Sequence, residues 1–131
     1  MSRDEEISEK QANILIVDDV RANLSILSEM VRKAGYLARP VISVKQAMQA
    51  IDILLPHLIL LDVTMPEMDG YEFCAILKQN VKTRDIPVIF ITGLTSVEDK
   101  IKGFSLGAVD FIVKPFEQEE VAVRIDRRTH R

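Results

Sequence analysis

The sequence predicts an α/β protein: five β-α units wound into one parallel sheet with helices on both faces. Three observations predict it. Short apolar runs recur five times along the chain, and apolar residues between them repeat at helical spacing. Three of the runs, at 13–17, 57–61 and 87–91, are nearly all apolar rather than alternating. That pattern suits strands covered on both faces. Strict alternation of strand and helix implies right-handed crossovers and a parallel sheet.

The first run is "NILIV" (13–17), followed by Leu24, Leu27, Val31 and Ala34 at helical spacing. The second, "YLARP" (36–40), is more polar and carries Pro40. Proline cannot donate to a ladder, so this strand belongs at a sheet edge. Val44, Ala47, Met48, Ile51 and Leu55 form the next helical set, and Ser43 with Gln46 before them matches a capping box. The third strand is "HLILLD" (57–62). Asp69 with Glu72 starts a helix carrying Phe73, Ile76 and Leu77. The fourth strand is "PVIFI" (87–91). Ser96 caps a helix with Val97, Ile101 and Phe104, and Gly107 is placed to end it. The fifth strand is "DFIVK" (110–114). A last helix runs from about Gln118 toward the C-terminus, with Val121 and Ile125 inward.

A chain of 131 residues is one domain with room for a real core. Apolar residues make up 47% and charged residues 28%, the balance of a soluble globular protein. Lys plus Arg is 17 against 20 for Asp plus Glu, a net charge of −3. That excludes a general pull toward nucleic acid or an anionic membrane. Cys74 is the single cysteine, so no internal disulfide forms and a reducing cytoplasm fits. No apolar run approaches the ~20 residues that span a bilayer. Residues 1–11 are polar and mostly acidic, without the apolar core of a signal peptide, and read as a flexible lead-in to a domain over 12–131.

The chemistry gathers at the carboxyl ends of the strands, where open α/β sheets bind ligands. Strand one runs into Asp18-Asp19, strand three into Asp62, strand four into Thr92 and strand five into Lys114. Like charges ~4 Å apart repel by roughly 4 kcal/mol at an effective dielectric of about 20, so the acidic group calls for a compensating cation. Mg²⁺ suits oxygen ligands and often keeps waters and phosphate oxygens. A carboxylate can act as a nucleophile and form an aspartyl phosphate. Phosphoryl transfer depends mainly on positioning and charge neutralisation, which Mg²⁺ and Lys114 would supply, with Thr92 bonding a phosphoryl oxygen.

With these residues in place, "VDDVRAN", "LLDVTMPEMDGYE", "PVIFITG" and "GAVDFIVKPF" closely resemble the receiver domains of two-component response regulators, in order and in spacing. The resemblance covers about residues 12–127. It implies a flavodoxin-like (βα)5 fold with strand order 2-1-3-4-5, an order the general account of doubly wound sheets already illustrates with a receiver protein. It implies that Asp62 is the phosphoacceptor. Asp18 and Asp19 are then the acidic pair that binds Mg²⁺, Asp19 the more direct ligand, with the Thr64 backbone carbonyl as a further one. Thr92 and Lys114 match the hydroxyl and lysine that contact the phosphoryl group. Phe111 matches a switch aromatic, a phenylalanine where many receivers carry tyrosine. Lys114-Pro115 matches a peptide bond usually cis in receivers.

The resemblance further implies a sensor histidine kinase or phosphotransfer protein as donor, and switching of the face made by the fourth helix, fifth strand and fifth helix. That face could also carry a homodimer. The domain would bind neither nucleic acid nor membrane directly, and is a signalling domain rather than an enzyme. The last helix stops in "RIDRRTHR" without a clear ending, which suggests an output domain in cis beyond the chain. Thr64, two residues after Asp62, lacks a carboxylate or amide to orient water, so a phosphoryl state of minutes or longer is expected.

Plainer readings stand beside these. Adjacent aspartates after a strand often serve as a helix N-cap. Phe111 can be simple core. Asn23 and Met65 read as helix-start and packing residues. His57 and His130 read as surface groups and Cys74 as a small core residue. The arginines 124, 127, 128 and 131 read as a solvated helix end or a partner surface. The same fold can also serve as an unphosphorylated interaction module. A hydrolase with an aspartyl nucleophile typically needs a second Asp where Thr64 stands.

Overall fold

The computed structural model describes residues 11–93 and 97–129. The lead-in through Lys10, the Ser96 cap and His130 lie outside the described residues. The elements are β1 (Asn13–Val17), α1 (Arg21–Lys33), β2 (Leu37–Val41), α2 (Val44–Ile53), β3 (Leu58–Asp62), α3 (Gly70–Gln79), β4 (Val88–Thr92), α4 (Val97–Ser105), β5 (Asp110–Val113) and α5 (Gln118–Thr129). The strands form one sheet in the order β2-β1-β3-β4-β5, every pair parallel. The expected fold and order are both found, with β2 and its Pro40 on an edge.

Side chains alternate across a strand, so each apolar strand feeds two cores. Leu15, Val17, Ile59, Leu61, Val88 and Phe90 pack with Ala47 and Ile51 of α2 and with Phe73, Cys74 and Leu77 of α3. Ile14, Ile16, Leu58, Leu60, Ile89 and Ile91 pack with Leu24, Leu27 and Val31 of α1 and with Val121 and Ile125 of α5. This is why β1, β3 and β4 carry no polar alternation: both faces are dry. Strand starts shift by one residue from three of the sequence-based limits. Pro87, for example, has no N–H to give and stays outside β4.

The caps follow the sequence. Ser43 Oγ accepts from Gln46 N–H at 3.1 Å, and Gln46 Oε1 accepts from Ile42 N–H at 3.0 Å, one residue earlier than the standard box. Asp69 Oδ1 accepts from Glu72 N–H at 2.8 Å. Gly107 follows α4 at φ 104°, a left-handed position that favours glycine. Helix α2 stops at Ile53, so Leu55 falls beyond it. Arg39 of β2 fixes that stop: its guanidinium donates to Ala50 O at 2.6 Å and to Leu54 O at 2.8 Å.

The apolar periodicity of α4 does not mark a buried face. Ile101 is 61% exposed and Phe104 50%. The helix meets the sheet instead at Gly103, where an added Cβ would lie 2.4 Å from Phe111 Cζ and 2.9 Å from Phe90 Cδ2. Two aromatic rings fill the space beneath the helix, so Ile101 and Phe104 are left at its flanks. The arginine-rich end of α5 is not simply solvated either. Arg124 Nη1 lies 3.1 Å from Asp110 Oδ1, and Arg128 donates to Val109 O at 3.1 Å. Tyr36 ties the same helix to the opposite end of the sheet through hydrogen bonds to Asp126 and Thr129. Because all five strands are parallel, their carboxyl ends meet at one rim.

Candidate functional site

At that rim, Asp18 follows β1 directly, Asp62 ends β3, Thr92 ends β4 and Lys114 follows β5. Lys114 N–H donates to Thr92 O at 2.9 Å, continuing the ladder past the strand. Lys114-Pro115 is cis, as expected. One carboxylate oxygen from each of Asp18, Asp19 and Asp62 lies within 4.8 Å of the other two. Lys114 Nζ stands 3.6 Å from Asp62 Oδ2. The structure thus brings the expected acids and lysine together, and Thr92 and the Thr64 backbone lie on the same rim.

Each acid is held differently. Asp18 is fully buried; its Oδ1 accepts from Val20 N–H at 2.9 Å and its Oδ2 from Asn23 Nδ2 at 3.2 Å. Asp19 is exposed. Asp62 is 2% exposed, and its Oδ1 accepts from Thr64 N–H at 3.0 Å. Burial pushes the Asp62 carboxyl up to about 6; Asp18 beside it adds to the rise, while the Thr64 N–H and Lys114 oppose it. The plain capping reading of the Asp pair fails on geometry. The N-cap of α1 is Val20, and no side chain caps that helix.

The donor set fits a hard divalent cation. All three candidate ligands are carboxylates, and one ammonium cannot balance them when all are ionised.

Two contributors were missed from sequence. Asn23, read there as a helix-start residue, donates directly to the buried Asp18. The available signal was its place in the first turn of the helix that follows the acidic strand end. Gly70 opens α3 so close to β3 that a Cβ there would lie 2.3 Å from the Asp62 carbonyl oxygen. "MDG" after the third strand was a signal for a turn, but not for that approach. Met65 packs against the core, as read. His57 is exposed, yet its Nδ1 takes a hydrogen bond from Asn13 N–H at 3.0 Å, far from the rim. Cys74 is buried, and burial pushes its thiol up although Lys78 lies near it.

Phe111 is 5% exposed. Its ring lies 5.7 Å from Phe90 and 5.0 Å, edge to face, from Phe104. Phe90 in turn meets Tyr71 of α3 at 5.0 Å, and Lys102 Nζ sits 4.5 Å over the Tyr71 ring. An aromatic row therefore runs from the start of α3 to the outer flank of α4.

A doubly wound parallel sheet with an acid cluster and a lysine at its carboxyl rim is the arrangement found here. The sequence profile of the response regulator receiver domain matches residues 14–126. The chain belongs to that family, the receiver domains of two-component systems. It is 40% identical over 122 residues to the DNA-binding dual master transcriptional regulator RpaA of Synechocystis sp., covering 90% of this chain and 50% of that protein. It is 39% identical over 114 residues to response regulator PleD of Caulobacter vibrioides, covering 87% of this chain and 25% of that protein. Chemotaxis protein CheY4 of Vibrio cholerae superposes with a TM-score of 0.85 at 29% identity, covering 90% of this chain and 98% of that one. This chain thus spans half or less of these two regulators and nearly all of the CheY4 chain. Among the described residues, no helix is long and apolar enough to cross a membrane.

Proposed function

We propose that this domain accepts a phosphoryl group on Asp62 from the phosphohistidine of a sensor kinase or phosphotransfer protein. The observation that carries the reading is the meeting of Asp18, Asp19 and Asp62 within 4.8 Å, with Lys114 at 3.6 Å from Asp62. In the transfer, an Asp62 carboxylate oxygen forms the new P–O bond and the donor's P–N bond breaks. The imidazole leaves with its electron pair and takes up a proton. Asp18, Asp19, Asp62 and the Thr64 carbonyl would hold Mg²⁺, which supplies charge neutralisation for the transferring group.

The chain's own residues do the rest. The Thr64 N–H fixes the Asp62 carboxylate, and Asn23 with the Val20 N–H fixes Asp18. Lys114 offsets the charge that develops on the phosphoryl oxygens. Thr92 donates its hydroxyl to one of those oxygens and is drawn toward the group. Phe111, already 5% exposed, answers by turning into the space that Thr92 vacates. A ligand shifts such an equilibrium only by differential contact, and here the contact is the Thr92 hydroxyl. The readout is the face of α4, β5 and α5, where Ile101 and Phe104 stand exposed. That face would serve a partner or a homodimer, or an output domain in cis, in the cytoplasm.

Beryllofluoride, a phosphoryl mimic, tests this. Amide shifts around Asp62 and Phe111 are expected to move only when Mg²⁺ and beryllofluoride are both present. In Thr92→Ala the Asp62 shifts should persist and the Phe111 shifts should be lost. No Mg²⁺-dependent response at all would leave an unphosphorylated interaction module. An unchanged Phe111 response in Thr92→Ala would remove the relay.

A further inference from the structure

The carboxyl ends of α2 and α3 enclose a hollow of about 580 Å³, distant from the acidic rim and unused by the function above. Its lining includes Met48, Ile51, Leu55, Ile76 and Leu77, with Asp52 and Lys82 as its charged members. Around it stand apolar side chains that the fold does not cover: Ile53 is 83% exposed, Leu54 55% and Val81 70%. Scattered apolar residues on a surface need no explanation, but a contiguous group beside a hollow marks an interaction site.

The group cannot relieve its exposure by collapsing. Arg39 pins Ala50 O and Leu54 O, and Asn13 Nδ2 donates to Leu55 O at 3.3 Å. The opposite wall is equally fixed. Thr83 Oγ1 donates to Leu77 O at 2.6 Å, and Lys82 N–H donates to Asn80 Oδ1 at 2.9 Å. The surface is preformed, which lowers the ordering cost of binding.

We propose that this groove seats a second copy of the chain across a two-fold axis. A two-fold interface uses one patch on both copies, so the patch must complement itself. This one does so twice. It carries a protruding apolar knob, Ile53, next to an apolar hollow. It also carries a carboxylate, Asp52, and an ammonium, Lys82, on the same lining. In the pair, Ile53 of each copy enters the other's hollow, and each Asp52 faces Lys82 of the partner subunit. A cationic or anionic partner would match only one of those two charges.

Sedimentation equilibrium of the metal-free, unphosphorylated protein, at concentrations up to about 1 mM, tests the pairing. Wild type should show a reversible monomer–dimer equilibrium. Ile53→Asp should weaken it by at least about tenfold, as truncation of a central anchor does. Asp52→Lys and Lys82→Asp should each weaken it, and the double exchange should restore it. Ile101→Asp, on the α4 flank, should leave it unchanged. All four positions are exposed or line the surface, and circular dichroism checks that each variant folds. A monomeric wild type overturns the proposal. So does a dimer indifferent to Ile53→Asp, one lost in Ile101→Asp, or one that the double exchange fails to restore.

Discussion

Asparagine in place of Asp62 is expected to abolish phosphoryl uptake from acetyl phosphate in Mg²⁺, while making the metal-free protein more stable near neutral pH. The first half follows from losing the nucleophilic oxygen; an amide oxygen keeps the Thr64 hydrogen bond but does not accept the group. The second half follows from linkage. The folded Asp62 carboxyl sits at about 6, above its ordinary value of 3.8. A raised carboxyl binds its proton more tightly in the folded state, so its favourable contribution is complete below the ordinary value. That contribution is lost as pH climbs from about 4 through 6. The loss amounts to about 3 kcal/mol, which Asn escapes at every pH. Melting curves at pH 5 and pH 8 in chelator should therefore converge for Asp62→Asn and separate for wild type. At pH 8 the variant should melt roughly 10 °C higher. Added Mg²⁺ should close much of that gap by stabilising wild type alone. Phos-tag gels and mass spectrometry read the first half. Equal labelling of the two proteins contradicts the assignment, and equal melting in chelator contradicts the buried-charge account.

Gly70→Ala should cost both stability and phosphoryl uptake. Alanine in a helix is ordinarily worth up to about 1 kcal/mol over glycine. At this position the sign reverses. The new Cβ would stand 2.3 Å from the Asp62 carbonyl oxygen and 2.8 Å from Val63 Cα, and both are backbone atoms. No rotamer relieves the contact, so α3 or the end of β3 must move. Such overpacking costs typically 1–3 kcal/mol, and here it displaces the residue proposed as the phosphoacceptor. Urea unfolding should show a lower midpoint, and acetyl phosphate labelling should slow by about tenfold or more. Gly93→Ala is the control. It neighbours Thr92, but nothing stands within 4 Å of its added Cβ, so its midpoint should hold. A Gly70→Ala protein as stable and as readily labelled as wild type would show that the helix is not seated on Asp62.

Much of this site could be read from the chain because parallel strands report their own ends. Where an apolar run stops, the next polar side chain stands at the rim, and Asp18, Asp62 and Thr92 were found that way. Lys114 needed only the last strand's limit. Caps were legible for the same local reason, since Ser43 and Asp69 act within three residues. Contacts set by how closely two elements approach were not legible. Gly70 and Gly103 are silent in sequence because their role is the absence of an atom. Helical spacing misled at Ile101 and Phe104, since periodicity records which side is apolar but not whether anything covers it. Asn23 was undervalued because its partner was itself read as a possible cap. Leu55, placed by its spacing in the helical set after Ser43, falls outside the helix because α2 ends at Ile53.

The glycine beneath α4 has a mechanical meaning. A helix anchored by interlocking side chains moves only if several knobs leave their holes together. Here the helix rests on Phe90 and Phe111 through one glycine, with the Phe104 ring set edge to face against Phe111 beside it. Glycine also loosens the helix from within, by about 1 kcal/mol relative to alanine. Sliding or tilting that segment moves the Phe104 ring against Phe111 and the Lys102 ammonium over Tyr71. The molecule thus keeps a glycine bearing next to the ring proposed as the switch, while hydrogen bonds brace Asp18 and Asp62 at the acidic end.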